Sequence, residues 1–289
     1  MMADSDLDPY AILQELRFNE ATTVNVVRGG SDMAIWRIER ANETFALRVF
    51  HRGRQERYER EQAAMQTAQA GGIPVPKIHA AGIWHDYPAL LLSWLPGWPL
   101  AHELRVRPWR VWLLGVLFGR MQAAIHALRA PDILLQSPDE WIAWPGPDEE
   151  ALRERLRTTD HHTDTLLHLD YHPLNVLTDG RTITGVLDWT NAKAGDARAD
   201  VARTVSILRI DFIDDGTPRL LLERAVRKVF ERGWRTGYEQ QGAPLRDLRL
   251  FYAWAGAVME RDLTHKREAR DLARIHRWTM NWKERIGCL

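Results

Sequence analysis

Four side chains between residues 166 and 203 stand at a spacing suited to phosphoryl transfer. His168, Asp170 and Asn175 follow the order His-x-Asp-x-x-x-x-Asn, and Asp188 ends the next apolar run, GVLD. Moving a phosphoryl group to an alcohol asks for a carboxylate aimed at the incoming hydroxyl and for oxygen ligands that hold Mg2+. Mg2+ is a hard cation that keeps water and phosphate oxygens and takes few protein groups. Asp170 suits the hydroxyl; Asn175 and Asp188 suit the metal. Singly, these residue types are ordinary in turns and helix caps, so the reading rests on their conjunction.

The elements around them must bring them together. Asp179-Gly180, between LNVLT and RTITGVLDW, predicts a two-residue hairpin turn. An unbroken register would set Thr178 opposite Arg181 and Tyr171 opposite Asp188, gathering Asp170, Asn175 and Asp188 at one end. In the upstream strand FALRVF, Phe45, Leu47 and Val49 share one face, and Arg48 projects with Ala46 and Phe50 on the other. A helix is expected over 54–70, where Tyr58, Glu61, Met65 and Ala68 form a stripe with Glu61 as its one carboxylate. A carboxylate in that position wants a cation, and Arg48 is the natural partner. Such a pair holds a strand cation toward nucleotide phosphates. The plainer alternative leaves Glu61 partly exposed and Arg48 on the wall of a cleft.

The wider pattern predicts an α+β chain of two lobes. Residues 24–50 read as a three-stranded meander, interrupted by Arg28-Gly29-Gly30-Ser31-Asp32 and by Ala41-Asn42-Glu43. Gly71-Gly72 and the prolines of Ile73-Pro74-Val75-Pro76 stop the helix that follows. Short strands near 78–83 and 89–95 lead into Pro96-Gly97, which sets lobes at 1–95 and 96–289. The second lobe reads as mostly helical, with a long apolar helix over 108–128.

Thirty-nine basic residues balance thirty-nine acidic ones, so no net field draws the chain to nucleic acid or to an anionic membrane. Cys288 is the sole cysteine, which excludes an intrachain disulfide and any thiol-based zinc site. The apolar runs at 88–95 and 111–118 fall short of the roughly 20 residues a membrane helix needs. The acidic start MMADSDLDPY does not resemble an export signal, so a cytoplasmic location is expected.

Several stretches taken together resemble the aminoglycoside phosphotransferase family, kinase-like enzymes related to the choline, homoserine and fructosamine kinases. They are Gly29-Gly30-Ser31-Asp32, LRV at 47–49, YEREQAAM around Glu61, IPVPKI, LLLSWLPG, HLDYHPLNVL and VLDWTNAKAGDARADVA, spanning about 24–203. The resemblance implies a two-lobed protein-kinase-like fold with a β-rich N-terminal lobe and a mainly helical C-terminal lobe. It implies Mg2+ and ATP, or GTP, as cofactors and a small-molecule hydroxyl as acceptor, such as an aminoglycoside or another amino-sugar antibiotic. Asp170 would be the catalytic base or hydroxyl-orienting group, and Asn175 and Asp188 the magnesium ligands. Arg48 would meet the α- and β-phosphates, anchored by Glu61. Gly29, Gly30 and Ser31 would cover the phosphates, and Ser93, Trp94 and Leu95 would form the hinge beside the base. His168 would brace the loop, with Asp196 and Asp200 structural near a helix start.

Two departures stand out. Arg48 occupies a position where lysine is frequent, and its planar fork is not equivalent to an ammonium. The glycine turn also lacks the G-x-G-x-x-G spacing of protein kinases, which speaks against a protein substrate. For the acceptor the C-terminal region offers Asp211, Asp214 and Asp215, the carboxylates Glu260 and Asp262, and the aromatics Trp234, Tyr238, Tyr252, Trp254, Trp278 and Trp282. Carboxylates would attract a polyamine sugar, and an aromatic cage would hold a quaternary ammonium or an amino sugar. For each aromatic the core reading is the stronger, since a tryptophan at helical spacing is usually core.

Other classes are weighed against this. His168 and His172 stand four apart as in a zinc-binding helix, but HLDYH lacks the glutamate after the first histidine, and Pro173 biases His172 away from helical backbone. A kinase-fold protein that binds nucleotide without catalysis would not need Asp170, Asn175 and Asp188 together. A choline- or homoserine-type metabolite kinase would need all three.

Overall fold

The computed structural model describes residues 7–19, 21–27, 33–210, 218–242 and 244–288, without the side chains of 218–223. The chain opens with helix α1 (Pro9–Glu15), where Asp8 accepts the Tyr10 N–H at 2.9 Å and proline takes the first helical position. Strands β1 (Thr23–Val26), β2 (Met33–Arg40) and β3 (Glu43–Phe50) form the expected meander. Helix α2 (Gln55–Ala70) follows, ending at Gly71 and at Gly72, whose φ is +79°. Strands β4 (Ile78–Trp84) and β5 (Tyr87–Ser93) complete a five-stranded antiparallel sheet in the order β1-β2-β3-β5-β4.

Alternation along β3 works as its sequence predicts. Phe45, Leu47 and Val49 pack with Ile12, Leu13 and Trp36 on one side of the sheet, while Phe50 joins the main core on the other with Tyr58 and Met65 of α2. β3 and β5 are therefore buried on both faces, and β5 reads as a continuous apolar run.

Beyond residue 97 the chain is mainly helical. The elements are β6 (Trp98–Pro99), α3 (Leu100–Val106), α4 (Val111–His126), α5 (Asp132–Leu135), α6 (Glu150–Thr158), β7 (Thr165–Leu167), β8 (Val176–Thr178), β9 (Ile183–Val186), β10 (Lys193–Gly195), α7 (Ala197–Ile210), α8 (Pro218–Gln241), α9 (Arg249–Leu263) and α10 (Ala269–Ile286). The apolar helix expected from residue 108 begins with one 3-10 turn, Pro108–Arg110, before α4. Among the described residues no helix is long and apolar enough to cross a membrane.

Helices α4 and α8 meet backbone to backbone. A Cβ added at Gly119 would lie 2.0 Å from the Trp234 carbonyl oxygen, and one at Gly237 would lie 2.1 Å from that of Val116. At Gly115 and Gly233 the distances would be 2.5 Å and 2.6 Å, so two glycines one helical turn apart on each helix permit the approach.

Most aromatics proposed as an acceptor cage are core instead. Trp234 and Trp254 are fully buried, their indole N–H groups donating to Gln122 Oε1 at 2.8 Å and to the Trp141 carbonyl at 3.0 Å. Tyr238 and Tyr252 are also buried, and Tyr252 packs with Trp278 and Trp282 of α10. Helical periodicity turned Trp234 and Trp254 fully inward. Asp211, Asp214 and Asp215 lie outside the described residues.

Candidate active site

The site is built on the loop from β7 to β8 and on the β8–β9 hairpin. That hairpin is wider than its Asp-Gly pair predicts. Asp179 Oδ1 accepts the N–H groups of Arg181 and Thr182, both at 2.7 Å, and Thr178 Oγ donates to the Thr182 carbonyl at 2.6 Å. These local side-chain bonds compete with a two-residue turn. The register becomes Val176↔Val186, Leu177↔Gly185 and Thr178↔Ile183, with an irregularity after Leu177, so Thr178 does not face Arg181. Nor does Tyr171 face Asp188: its ring is buried, and its hydroxyl donates to the Phe118 carbonyl at 2.9 Å. The gathering nonetheless occurs. The Leu187 N–H donates to the Asn175 carbonyl at 2.8 Å, setting Asn175 beside the segment that carries Asp188.

Asp170 and Asn175 are joined directly. Asn175 Nδ2 donates to the Asp170 carbonyl and to Asp170 Oδ2, each at 3.1 Å, and His172 Nε2 lies 3.6 Å from the same carboxylate oxygen. Burial raises the pKa of Asp170, but His172 and the Arg203 charge overcome it, so the carboxyl sits below its usual value and is ionised near neutrality.

Beneath this pair lies a buried polar floor. Asp200, fully buried in the first turns of α7, accepts the N–H groups of His168 and Leu169 at 2.9 Å and faces His126 Nε2 at 3.0 Å. Leu169 thereby holds φ at +60°, a left-handed conformation that a leucine adopts only under restraint. Asp196, just before α7, accepts the Arg198 N–H at 2.8 Å and the His162 N–H at 3.0 Å. Both aspartates thus occupy the supporting positions expected of them.

His168 is fixed at both nitrogens. Nε2 lies 3.0 Å from the Leu187 carbonyl, which can only accept, and Nδ1 receives the Asp170 N–H at 3.3 Å. The ring is therefore the neutral Nε2–H tautomer, with no lone pair left for a metal. Residues 168–172 also form a loop, so the two-histidine helix of a zinc site does not exist here. Burial lowers the His168 pKa against the pull of Asp200, Asp170 and Asp188. Below about pH 6.5 the unfolded chain takes up a proton that the native ring refuses, so native stability falls with acidification. The melting temperature measured from pH 8 to pH 5 should drop more steeply for the wild type than for His168→Asn. Parallel profiles would rule out a buried neutral imidazole.

Arg48 crosses from the sheet to this loop. It is 7 % exposed; Nη1 pairs with Glu61, which is 1 % exposed on α2, and Nε meets Met33 Sδ. Nη2 donates to Asp188 Oδ1 at 2.9 Å and to Thr190 Oγ at 2.7 Å, and Thr190 in turn donates to Asp188 Oδ1 at 2.5 Å. The plainer alternative, an exposed Glu61, is excluded. Burial opposes charge on Arg48, but Glu61 and Asp188 outweigh it and raise its pKa, so it stays cationic. Asp188 experiences the same balance in reverse: burial raises its pKa, while Arg48 and Thr190 bring it down to about 2. Asp188 itself sits just past β9 in a left-handed conformation, φ +60° and ψ +71°.

A family model described as the phosphotransferase enzyme family matches residues 23–240 of this chain, which includes every residue of the arrangement above. The chain belongs to the phosphotransferase enzyme family. Solved structures of the same fold include a thermostable mutant of aminoglycoside phosphotransferase APH(4)-Ia in ternary complex with AMP-PNP and hygromycin B. It is 17% identical, with a TM-score of 0.64 over 94% of this chain and 96% of that one. Plasmodium vivax ethanolamine kinase is 12% identical, with a TM-score of 0.61 over 94% and 86%. Macrolide 2'-phosphotransferase MphH from Brachybacterium faecium is 18% identical, with a TM-score of 0.53 over 93% and 97%. No curated protein matches the sequence. These structures share the α+β architecture of a β-sheet region followed by a helical one.

The remaining expected site residues of this phosphotransferase divide in two. Ser93, Trp94 and Leu95 link β5 to β6: Ser93 Oγ accepts the Lys77 N–H at 2.9 Å, the Trp94 N–H donates to Thr44, and Leu95 packs over Gly185 of β9. Trp94 is 41 % exposed, with Arg37 over its ring. Gly29, Gly30 and Ser31 lie outside the described residues. Sequence reasoning missed Thr190, His126 and Arg203. Thr190 carried no signal beyond standing two residues after an aspartate; His126 and Arg203 sit on apolar helices, where a polar residue on the inward face was the available clue.

Proposed function

We propose that this phosphotransferase moves the γ-phosphoryl group of Mg·ATP, or Mg·GTP, to a hydroxyl of a small molecule. The supporting observation is two bonded groups set side by side, Asn175–Asp170 on one loop and Asp188–Arg48–Glu61, with the Leu187 N–H on the Asn175 carbonyl holding the segments together. In this reading Asp170 orients the acceptor hydroxyl and takes its proton as the oxygen bonds to phosphorus and the bridging oxygen to the β-phosphate departs with ADP. A carboxylate held below its ordinary pKa is a weak base, which suits a loose transition state where the proton leaves late. Arg48, fixed by Glu61, meets the phosphates, and the hinge at 93–95 marks the boundary between lobes 1–95 and 96–289.

The donor set fits magnesium. Asn175 engages its neighbours through Nδ2, and Asp188 engages Arg48 and Thr190 through Oδ1, so Asn175 Oδ1 and Asp188 Oδ2 are the oxygens left for a cation. Two protein oxygens are what Mg2+ takes when phosphates and water supply the rest. Bound there, the ion would neutralise charge on the transferring phosphoryl group. The nucleotide analogue bound to APH(4)-Ia supports ATP for the present chain. The test is a screen with ATP, magnesium and candidate alcohols, read as ADP release together with the mass gain of one phosphoryl group on the acceptor. Nucleotide binding without transfer to any alcohol would remove the catalytic reading.

A further inference from the structure

Asp170 opens onto a cleft of about 610 Å3 whose charge is inconsistent with a polycationic acceptor. Seven lysines and arginines line it against four carboxylates, one of them Asp170. The wall carboxylates are already shared. Glu140 is bonded to both Arg60 and Lys193, and Asp262 to both Arg203 and Arg261. Burial raises the pKa of Glu140, yet its two cations bring it below the usual value, so it stays a saturated anion. Beside Asp262, Arg203 is 6 % exposed, with Nη1 buried and without a hydrogen-bond partner, and its other contacts are long at 3.4 Å. Lys266, on the turn after α9, makes no ion pair among the described residues. An ammonium-rich acceptor would find Glu140 and Asp262 each with two cations already on them and Glu56 paired with Arg60 at 2.7 Å.

We propose that the acceptor carries an anionic group, a carboxylate or a phosphate, beside the hydroxyl it presents to Asp170. This deepens the phosphotransferase reading and rests on it. The nucleotide's phosphates are met from the sheet side by Arg48, whereas Arg203, Arg261 and Lys266 come from α7, from α9 and from the turn after α9. That wall gives a second anion its own counter-charge and excludes polyamines by repulsion.

The experiment loads the protein with Mg·ADP and titrates it calorimetrically with four probes: gluconate, glycerol 3-phosphate, ethanolamine and hygromycin B. Binding of either anionic alcohol, and of neither amine, is expected; the first two probes separate carboxylate from phosphate recognition. Lys266→Glu, an exposed position, should weaken the anionic probe roughly tenfold while leaving Mg·ADP affinity as it was. Preferential binding of the amines, no binding of any probe, or a Lys266→Glu effect on Mg·ADP alone would overturn the proposal. Failure of Mg·ADP to bind at all would instead remove the phosphotransferase reading beneath it.

Discussion

Asp170→Ala is expected to slow phosphoryl transfer by about 10²- to 10⁴-fold, the usual contribution of a positioned general base. The same variant should keep its Mg·nucleotide affinity. The cation proposed to meet the phosphates, Arg48, is held by Glu61, Asp188 and Thr190, none of which touches Asp170. Asn175 loses its bond to Asp170 Oδ2 but retains the one to the main-chain carbonyl, so the amide stays near its place. Single-turnover measurements with saturating Mg·ATP, paired with a nucleotide titration, separate the two quantities. Turnover near wild type would mean that another group receives the proton. A parallel loss of nucleotide affinity would mean that the carboxylate serves mainly to hold the loop.

The second large effect is on stability. Asp200→Ala removes the acceptor for the His168 and Leu169 N–H groups and the partner of His126. Each buried donor left unsatisfied costs roughly 1–3 kcal/mol, and three such donors face Asp200. A loss of about 3 kcal/mol or more is therefore expected from urea unfolding, since Leu169 also loses what holds its left-handed backbone. Burial raises the Asp200 pKa, but His126, His168 and the backbone donor bring the net value below the ordinary one. Its stabilisation is thus complete above the unfolded aspartate value of about 3.9 and is lost as pH falls through the lower native value. Asp200→Asn keeps one acceptor oxygen and should fall between alanine and wild type. A loss below 1 kcal/mol for alanine would show that the loop is held by other means.

Much of this arrangement was legible in sequence because local rules govern it. Alternation in FALRVF oriented Arg48, and a lone carboxylate on an apolar helical stripe identified its partner across thirteen positions. The loop spacing likewise set Asp170 beside Asn175. What failed was decided by competition between neighbours: Asp179 offered its own carboxylate to the backbone and widened the turn, which no pair preference for Asp-Gly includes. The acceptor wall was illegible for a different reason. Its charges come from α2, the 3-10 turn Glu140–Ala143, β10, α7, α9 and the turn after α9, and only the folded chain shows that Glu140 and Asp262 are each claimed twice. Of the residues that sequence offered as acceptor contacts, Trp234, Tyr238, Tyr252 and Trp254 are spent on packing, while Asp262 lines the cleft.

The glycine seam between α4 and α8 sets where this enzyme can yield. α4 supplies the Phe118 carbonyl that holds Tyr171, the Gln122 amide that reaches Thr204, and the His126 ring that faces Asp200. At Gly115, Gly119, Gly233 and Gly237 α4 meets α8 main chain against main chain, with no side chain of those four residues to change rotamer and absorb a displacement. The bed under the proposed reacting groups is stiff along that seam, and adjustment to reactants of different bulk is expected at the opposite, sheet-bearing wall of the cleft.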